Sequence, residues 1–163
     1  MEDGFGYVDA TDIMREWVML GDGEDNPYMR FMAYWVAFNM LYAPYQRGRR
    51  DVSDREAILQ YFAENEACLS EYDPFSNGDA DLFSSLKLFE LYSWPERRIN
   101  RERDDIEGGD VEALMKAVYK VRCNFFHGNK RLGNPTDREF VDCSAKIIRG
   151  YLGTLGFIPS ETG

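Results

Sequence analysis

The chain has 163 residues, 44% of them apolar and 15% aromatic, enough for one domain with a real core and too many for a disordered segment. A formal net charge of −10 argues against broad, non-specific binding to nucleic acid while leaving room for a local basic site. Three cysteines (Cys68, Cys123, Cys143) without C-x-x-C spacing, beside a single histidine, make neither a disulfide framework nor a zinc site, so no cofactor is expected and a reducing cytoplasm is the simplest compartment.

The opening MEDGFGYVD is acidic and has no basic region followed by an apolar one, so no targeting segment is expected. Thr11 is placed to cap a first helix carrying Ile13, Met14, Trp17 and Val18, with GDGEDN as its stop. Asn26-Pro27 then pairs an N-cap residue with proline at the first helical position. The apolar run over 28–43 is interrupted by Arg30 and Asn39 and closed by Pro44. It is short for a bilayer span, which takes about 20 residues, and being apolar on most sides it reads as the central helix of the fold. Ser53-x-x-Glu56 is a capping-box pattern ahead of Ile58, Tyr61, Phe62 and Leu69, and EYDPFSNGD reads as loop.

Residues 80–92 suggest a helix through Leu82, Leu86 and Phe89. WPERRINRERDDIEGG, 94–109, reads as a charged connection in which Arg97, Arg98, Arg101 and Arg103 alternate with Glu96, Glu102 and Asp104; a salt-bridged loop suits this mixture better than a nucleic-acid arm. Over 110–125, Leu114, Val118, Val121 and Phe125 fall on one side of a helix. Asn134-Pro135-Thr136 opens the last helix, with Thr136-x-x-Glu139 as a second capping box, Val141, Ile148, Leu152 and Leu155 along it and Gly156 at its end. Strand signals are nearly absent, and there is neither a repeat nor a composition break. The expectation is one all-α domain, a helical bundle of five to six helices, with its core at about 8–156 and a tail at 157–163.

The chemistry concentrates in KVRCNFFHGNK, 120–130, which holds the lone His127 five residues after Arg122, near a helix end marked by Gly128. An imidazole with an ordinary pKa near 6.5 exchanges protons at neutral pH. A guanidinium beside it holds a phosphate at two points and offsets charge in a transition state. The plain alternatives are a histidine that caps final carbonyls and an arginine in a surface ion pair. If the helix continued, His127 would point well away from Arg122, so the two converge only where it unwinds near Asn124–His127. With no metal ligands elsewhere, the pair suits metal-free transfer at a phosphodiester, for which RNA supplies its own 2′-hydroxyl. Lys116, Lys120, Lys130 and Arg131 surround the motif as a guide for an RNA backbone or as a solvated face. Asn39, alone among apolar neighbours, either makes a local core bond or orients the motif. Cys123 points away from Arg122 on a helix and is a poor nucleophile candidate.

Arg-x-x-x-x-His at the end of a helix, here R-C-N-F-F-H-G-N-K, resembles the signature of the HEPN superfamily. The aromatic helix YMRFMAYWVAFNMLYAPY is similar to the early helix of several prokaryotic members, and DREFVDCSAKII is similar to the helix after the motif, so the resemblance covers most of residues 27–155. It implies a helical bundle that forms a homodimer, with the motif residues of both subunits facing a cleft. It also implies a metal-independent endoribonuclease that leaves 2′,3′-cyclic phosphates, often a toxin or defence effector restrained by an antitoxin protein. Carried over, Arg122 would position the scissile phosphate and His127 would be general acid or base. Cys123 stands where members have a polar residue, and the nearest polar side chain is Asn124, one position later. The alternative expectation is a non-catalytic HEPN module that binds nucleotides or a protein partner.

Overall fold

The computed structural model describes residues 10–126 and 133–156, and these are all helix, turn and connection. The α-helices are α1 (Ala10–Asp22), α2 (Pro27–Tyr42), α3 (Asp54–Glu64), α4 (Glu66–Ser70), α5 (Leu88–Leu91), α6 (Glu96–Glu107), α7 (Val111–Phe126) and α8 (Pro135–Thr154). Six of them run eleven residues or more, while α4 and α5 are short, so the described chain is an all-helical bundle, as expected. No helix among the described residues is long and apolar enough to cross a membrane.

The start signals of α2 and α3 work as their sequences suggest. Asn26 Oδ1 accepts from the Tyr28 amide at 2.9 Å ahead of Pro27. At α3 the Glu56 amide donates to Ser53 Oγ while the Ser53 amide donates to Glu56 Oε2, closing the box. The last helix differs in its cap: Asn134, not Thr136, accepts from the amides of Thr136 and Asp137, because the Asn-Pro pair places proline at the first helical position and fixes the cap two residues earlier. Thr11 lies inside α1 rather than capping it.

Two further expectations are corrected. Residues 80–92 hold a 3₁₀ turn, Asp81–Ser84, and the single turn of α5 instead of one helix. The Ser84 and Ser85 hydroxyls bond back to the carbonyls of Asp81 and Leu82, and Ser85 Oγ accepts the Lys87 amide, which competes with helix continuation. Phe83, Leu88 and Leu91 therefore enter the core and Leu86 is exposed. The charged stretch 94–109 is not a loop but α6, whose Ile99 and Ile106, two turns apart, give it a buried edge. Its arginines do not form the anticipated salt bridges with Glu96, Glu102 and Asp104; Arg98 instead covers the Trp94 ring at 3.6 Å and Arg103 faces Phe89 at 5.8 Å. Gly109, at φ +92, makes the left-handed turn that separates α6 from α7, after which Asp110 Oδ1 accepts the Ala113 amide.

Helix α2 is central as its composition demands, packed most extensively against α1 and α8. Phe31, Trp35, Phe38 and Tyr42 are all buried along it. Opposite stand Tyr61 and Tyr151, whose hydroxyls bond each other at 2.7 Å inside the core. Where α1 meets α2, Gly21 lies against the Tyr34 ring so closely that a Cβ would overlap it. Gly21→Ala is expected to lower stability by about 2 kcal/mol, the cost of an overpacked contact, read as a denaturant midpoint shift at unchanged m-value.

Asp22 clamps three helices: both carboxylate oxygens accept from Arg149 at 2.8 and 2.9 Å, and Oδ1 also accepts from the Tyr34 hydroxyl at 2.6 Å. Burial pushes this carboxyl up, but the bonds from Arg149 and Tyr34 and the charges of Arg149 and Arg30 outweigh that and hold it below its usual range. A folded-state pKa below the unfolded one gives stability that is present above the unfolded value, about 4, and is lost as pH falls through the lower folded value. Wild type should thus exceed Asp22→Asn by about 1 kcal/mol at neutral pH, an amount already discounted for partial exposure. The difference should shrink below pH ~4 in chemical-denaturation curves.

Candidate functional site

Arg122 leaves α7 one turn before its described end and reaches toward the start of α3. Its Nη2 pairs with Asp54 Oδ2 at 3.2 Å, with the side chain 24% exposed. Asp54 occupies the first turn of α3, where the helix dipole favours a carboxylate, and Oδ1 accepts from Gln46 Nε2 at 2.8 Å. Three rings enclose the guanidinium: Phe126 at 4.8 Å, Trp35 at 5.8 Å and Tyr119 at 6.0 Å. Planar, weakly hydrated and permanently charged, an arginine suits such a setting better than a lysine. The Phe126 ring is itself 47% exposed, so the enclosure opens toward solvent on that side.

Unsatisfied polar atoms gather here. Among the described residues six buried side-chain N and O atoms lack a hydrogen-bond partner. Three of them, Arg122 Nε, Trp35 Nε1 and the Tyr42 hydroxyl, belong to this cluster, and two more, the Tyr92 hydroxyl and Glu102 Oε2, line the neighbouring cavity; only Ser144 Oγ lies elsewhere. An orphaned buried group costs about 1–3 kcal/mol. Four of the five face one another in pairs, Trp35 with Tyr42 and Tyr92 with Glu102, which leaves Arg122 Nε as the unpaired one of the five. Burial, followed by the charge of Asp54, pushes the Tyr42 hydroxyl well above its usual range, so it stays a protonated donor.

The adjoining cavity, about 420 Å³, lies between α6 and α7. Tyr119 and Cys123 line it and also flank Arg122. Burial, and then its bond with the Cys123 thiol, pushes the Tyr119 hydroxyl up to about 12. Arg55, Arg98, Arg101, Lys116 and Lys120 face three carboxylates, so cations prevail in this cavity although the chain as a whole is acidic.

The residues singled out by sequence separate as follows. Arg122 and Lys120 lie on adjacent stripes of α7, Lys120 in the cavity wall. Asn124 is 8% exposed and donates to the Leu91 carbonyl at 3.2 Å, so its amide ties α7 to the end of α5. Asn39 is half-buried on α2. The backbone remains helical through Phe126, so any unwinding of the motif begins after Asn124 and Phe125. His127, Lys130 and Arg131 lie outside the described residues. Sequence reasoning missed Asp54, Trp94 and Arg98. The capping box had placed Asp54 in the first turn of a helix, but its partner comes from a distant segment; Trp94 and Arg98 were hidden by reading their stretch as a loop.

No protein-family model, curated protein sequence or solved structure matches this chain.

Proposed function

We propose that the protein is a metal-independent endoribonuclease of HEPN type, working as a homodimer in the cytoplasm. The observation that supports this reading is the state of Arg122: a guanidinium fixed by Asp54 and an aromatic enclosure, with an unpaired Nε, five residues before the chain's one histidine. In the proposed reaction Arg122 holds the scissile phosphate and stabilises the charge gathering on its oxygens. The 2′-hydroxyl attacks phosphorus as its proton passes to an imidazole. The P–O2′ bond forms, the P–O5′ bond breaks, and the leaving 5′-oxygen takes a proton from the second subunit's imidazole, giving a 2′,3′-cyclic phosphate and a 5′-hydroxyl. Asn124 and Asn39 support the frame, and Lys120, Lys130 and Arg131 meet the RNA backbone. A toxin or defence role with an antitoxin partner rests on the family resemblance alone.

A second reading, a non-catalytic module binding nucleotides or a protein, draws on two observations. Asp54 already neutralises Arg122, and Asn124, the nearest polar substitute for the residue that Cys123 replaces, is committed to Leu91. The two readings part in one experiment: incubation of purified protein with a mixed RNA pool in EDTA. Cleavage by wild type and none by a folded His127→Ala dimer is expected. No cleavage at any salt or pH, by a protein that sediments as a monomer, would overturn the nuclease reading.

A further inference from the structure

The cavity between α6 and α7 is built like a receptor for something planar and anionic. Its volume, about 420 Å³, falls in the range of small-ligand sites. One wall is a stack of three flat groups: the Tyr92 and Trp94 rings lie 3.9 Å apart at 11°, and the Arg98 guanidinium lies 3.6 Å over the Trp94 ring. The outer face of such a guanidinium is a platform on which a nucleobase stacks. Tyr92, 7% exposed, stands in the same wall with its hydroxyl beside the Glu102 carboxylate.

The remaining walls supply charge. Lys116 and Lys120 line the cavity from α7, Arg101 from α6, and Arg55 from the first turn of α3. Of these only Lys116 is in an ion pair, with Glu112 at 3.5 Å, among the described residues. Lys116, Lys120 and Cys123 recur at helical spacing along about 10 Å of α7, and Tyr119, Arg122 and Phe126 form the neighbouring stripe. A strand whose scissile phosphate lay at Arg122 would bring an adjacent nucleotide to this cavity.

We propose that the cavity is a nucleotide subsite: the Arg98 guanidinium, held flat by Trp94, stacks the base, and Arg55, Arg101 and Lys120 hold its phosphate. The inference rests on the ribonuclease reading for one point only, that the nucleotide is part of an RNA strand flanking the cut. A free nucleotide presents the same base and phosphate, and the test separates the two sources.

Binding is measured by calorimetry on the full chain carrying His127→Ala, so that RNA stays intact, with a 2′-O-methyl hexanucleotide in one arm and uridine and adenosine 5′-monophosphates in the other. Trp94→Ala, which removes the ring that holds the Arg98 guanidinium flat, is expected to weaken binding about tenfold, as loss of a base-stacking platform does. Arg101→Ala, at an exposed position that leaves the fold untouched, is expected to reduce the salt slope by about one. Both effects in the oligonucleotide arm alone support a strand subsite; both effects in the monophosphate arm as well support a site that also takes the free nucleotide. Unchanged affinity and slope in Arg101→Ala, together with unchanged affinity in a folded Trp94→Ala protein, overturn the subsite. Because the readout is binding, absence of cleavage in wild type would defeat the nuclease reading without touching this one, and normal cleavage with insensitive variants would defeat this one alone.

Discussion

Replacing Phe38 by alanine is expected to cost about 4 kcal/mol of stability, the range for a large aromatic removed from a packed core. Phe38 is 1% exposed in the C-terminal half of α2. Its ring lies within 6.5 Å of five others, those of Trp35, Tyr42, Tyr61, Phe62 and Tyr151, contributed by α2, α3 and α8. Edge-to-face pairs of this kind add to burial alone. The void left behind would be walled by rigid rings that collapse poorly, which places the loss high in the range. Against a total stability of about 5–15 kcal/mol, the change should be visible as a large fall in the denaturant midpoint. Phe38→Leu, which fills most of the space, should recover the greater part. A loss below about 1 kcal/mol in Phe38→Ala would mean that the aromatic cluster is not the load of the fold.

The second large effect is on the proposed ribonuclease reaction. Arg122→Ala is expected to lower the cleavage rate by about 10²–10³, the usual consequence of removing a donor aimed at developing charge. Arg122→Lys should not restore it, because an ammonium offers one point of charge where the guanidinium offers a planar fork and stacks within the enclosure of Phe126, Trp35 and Tyr119. Stability should fall by no more than about 1 kcal/mol, since the ion pair is partly exposed and Asp54 retains its bond to Gln46. In the proposed reaction Asp54 positions the arginine, so Asp54→Asn is expected to reduce kcat by about tenfold with little change in KM, the signature of a misplaced catalytic group. Equal activity in wild type and Arg122→Ala would remove the arginine from the mechanism.

Much of the frame was legible because it is written in local signals. Asn26-Pro27 and the Ser53–Glu56 box state where helices begin, and the apolar girth of 28–43 states that this helix is central. What local signals miss is decided by competition between neighbours. Ser84 and Ser85 break a helix that Leu82, Leu86 and Phe89 suggest by spacing. In 94–109 two isoleucines among many charges suffice to dock a helix, because the charged side chains only need to stay in solvent or lie across rings. The candidate site was legible only in part. Arg122 stood out by its spacing from His127, whereas its pairing with Asp54 exists only after distant segments pack, and the Tyr92–Trp94–Arg98 stack only once the stretch after Trp94 forms a helix.

The chemistry of the cut ends tests the central claim most directly. An RNA oligonucleotide treated in EDTA, analysed by mass spectrometry beside a DNA oligonucleotide of the same sequence, is predicted to yield 2′,3′-cyclic phosphate and 5′-hydroxyl ends from RNA and nothing from DNA. Fragments ending in 3′-hydroxyl and 5′-phosphate, or cutting of the DNA, would contradict attack by the 2′-oxygen and with it the roles given to Arg122 and His127.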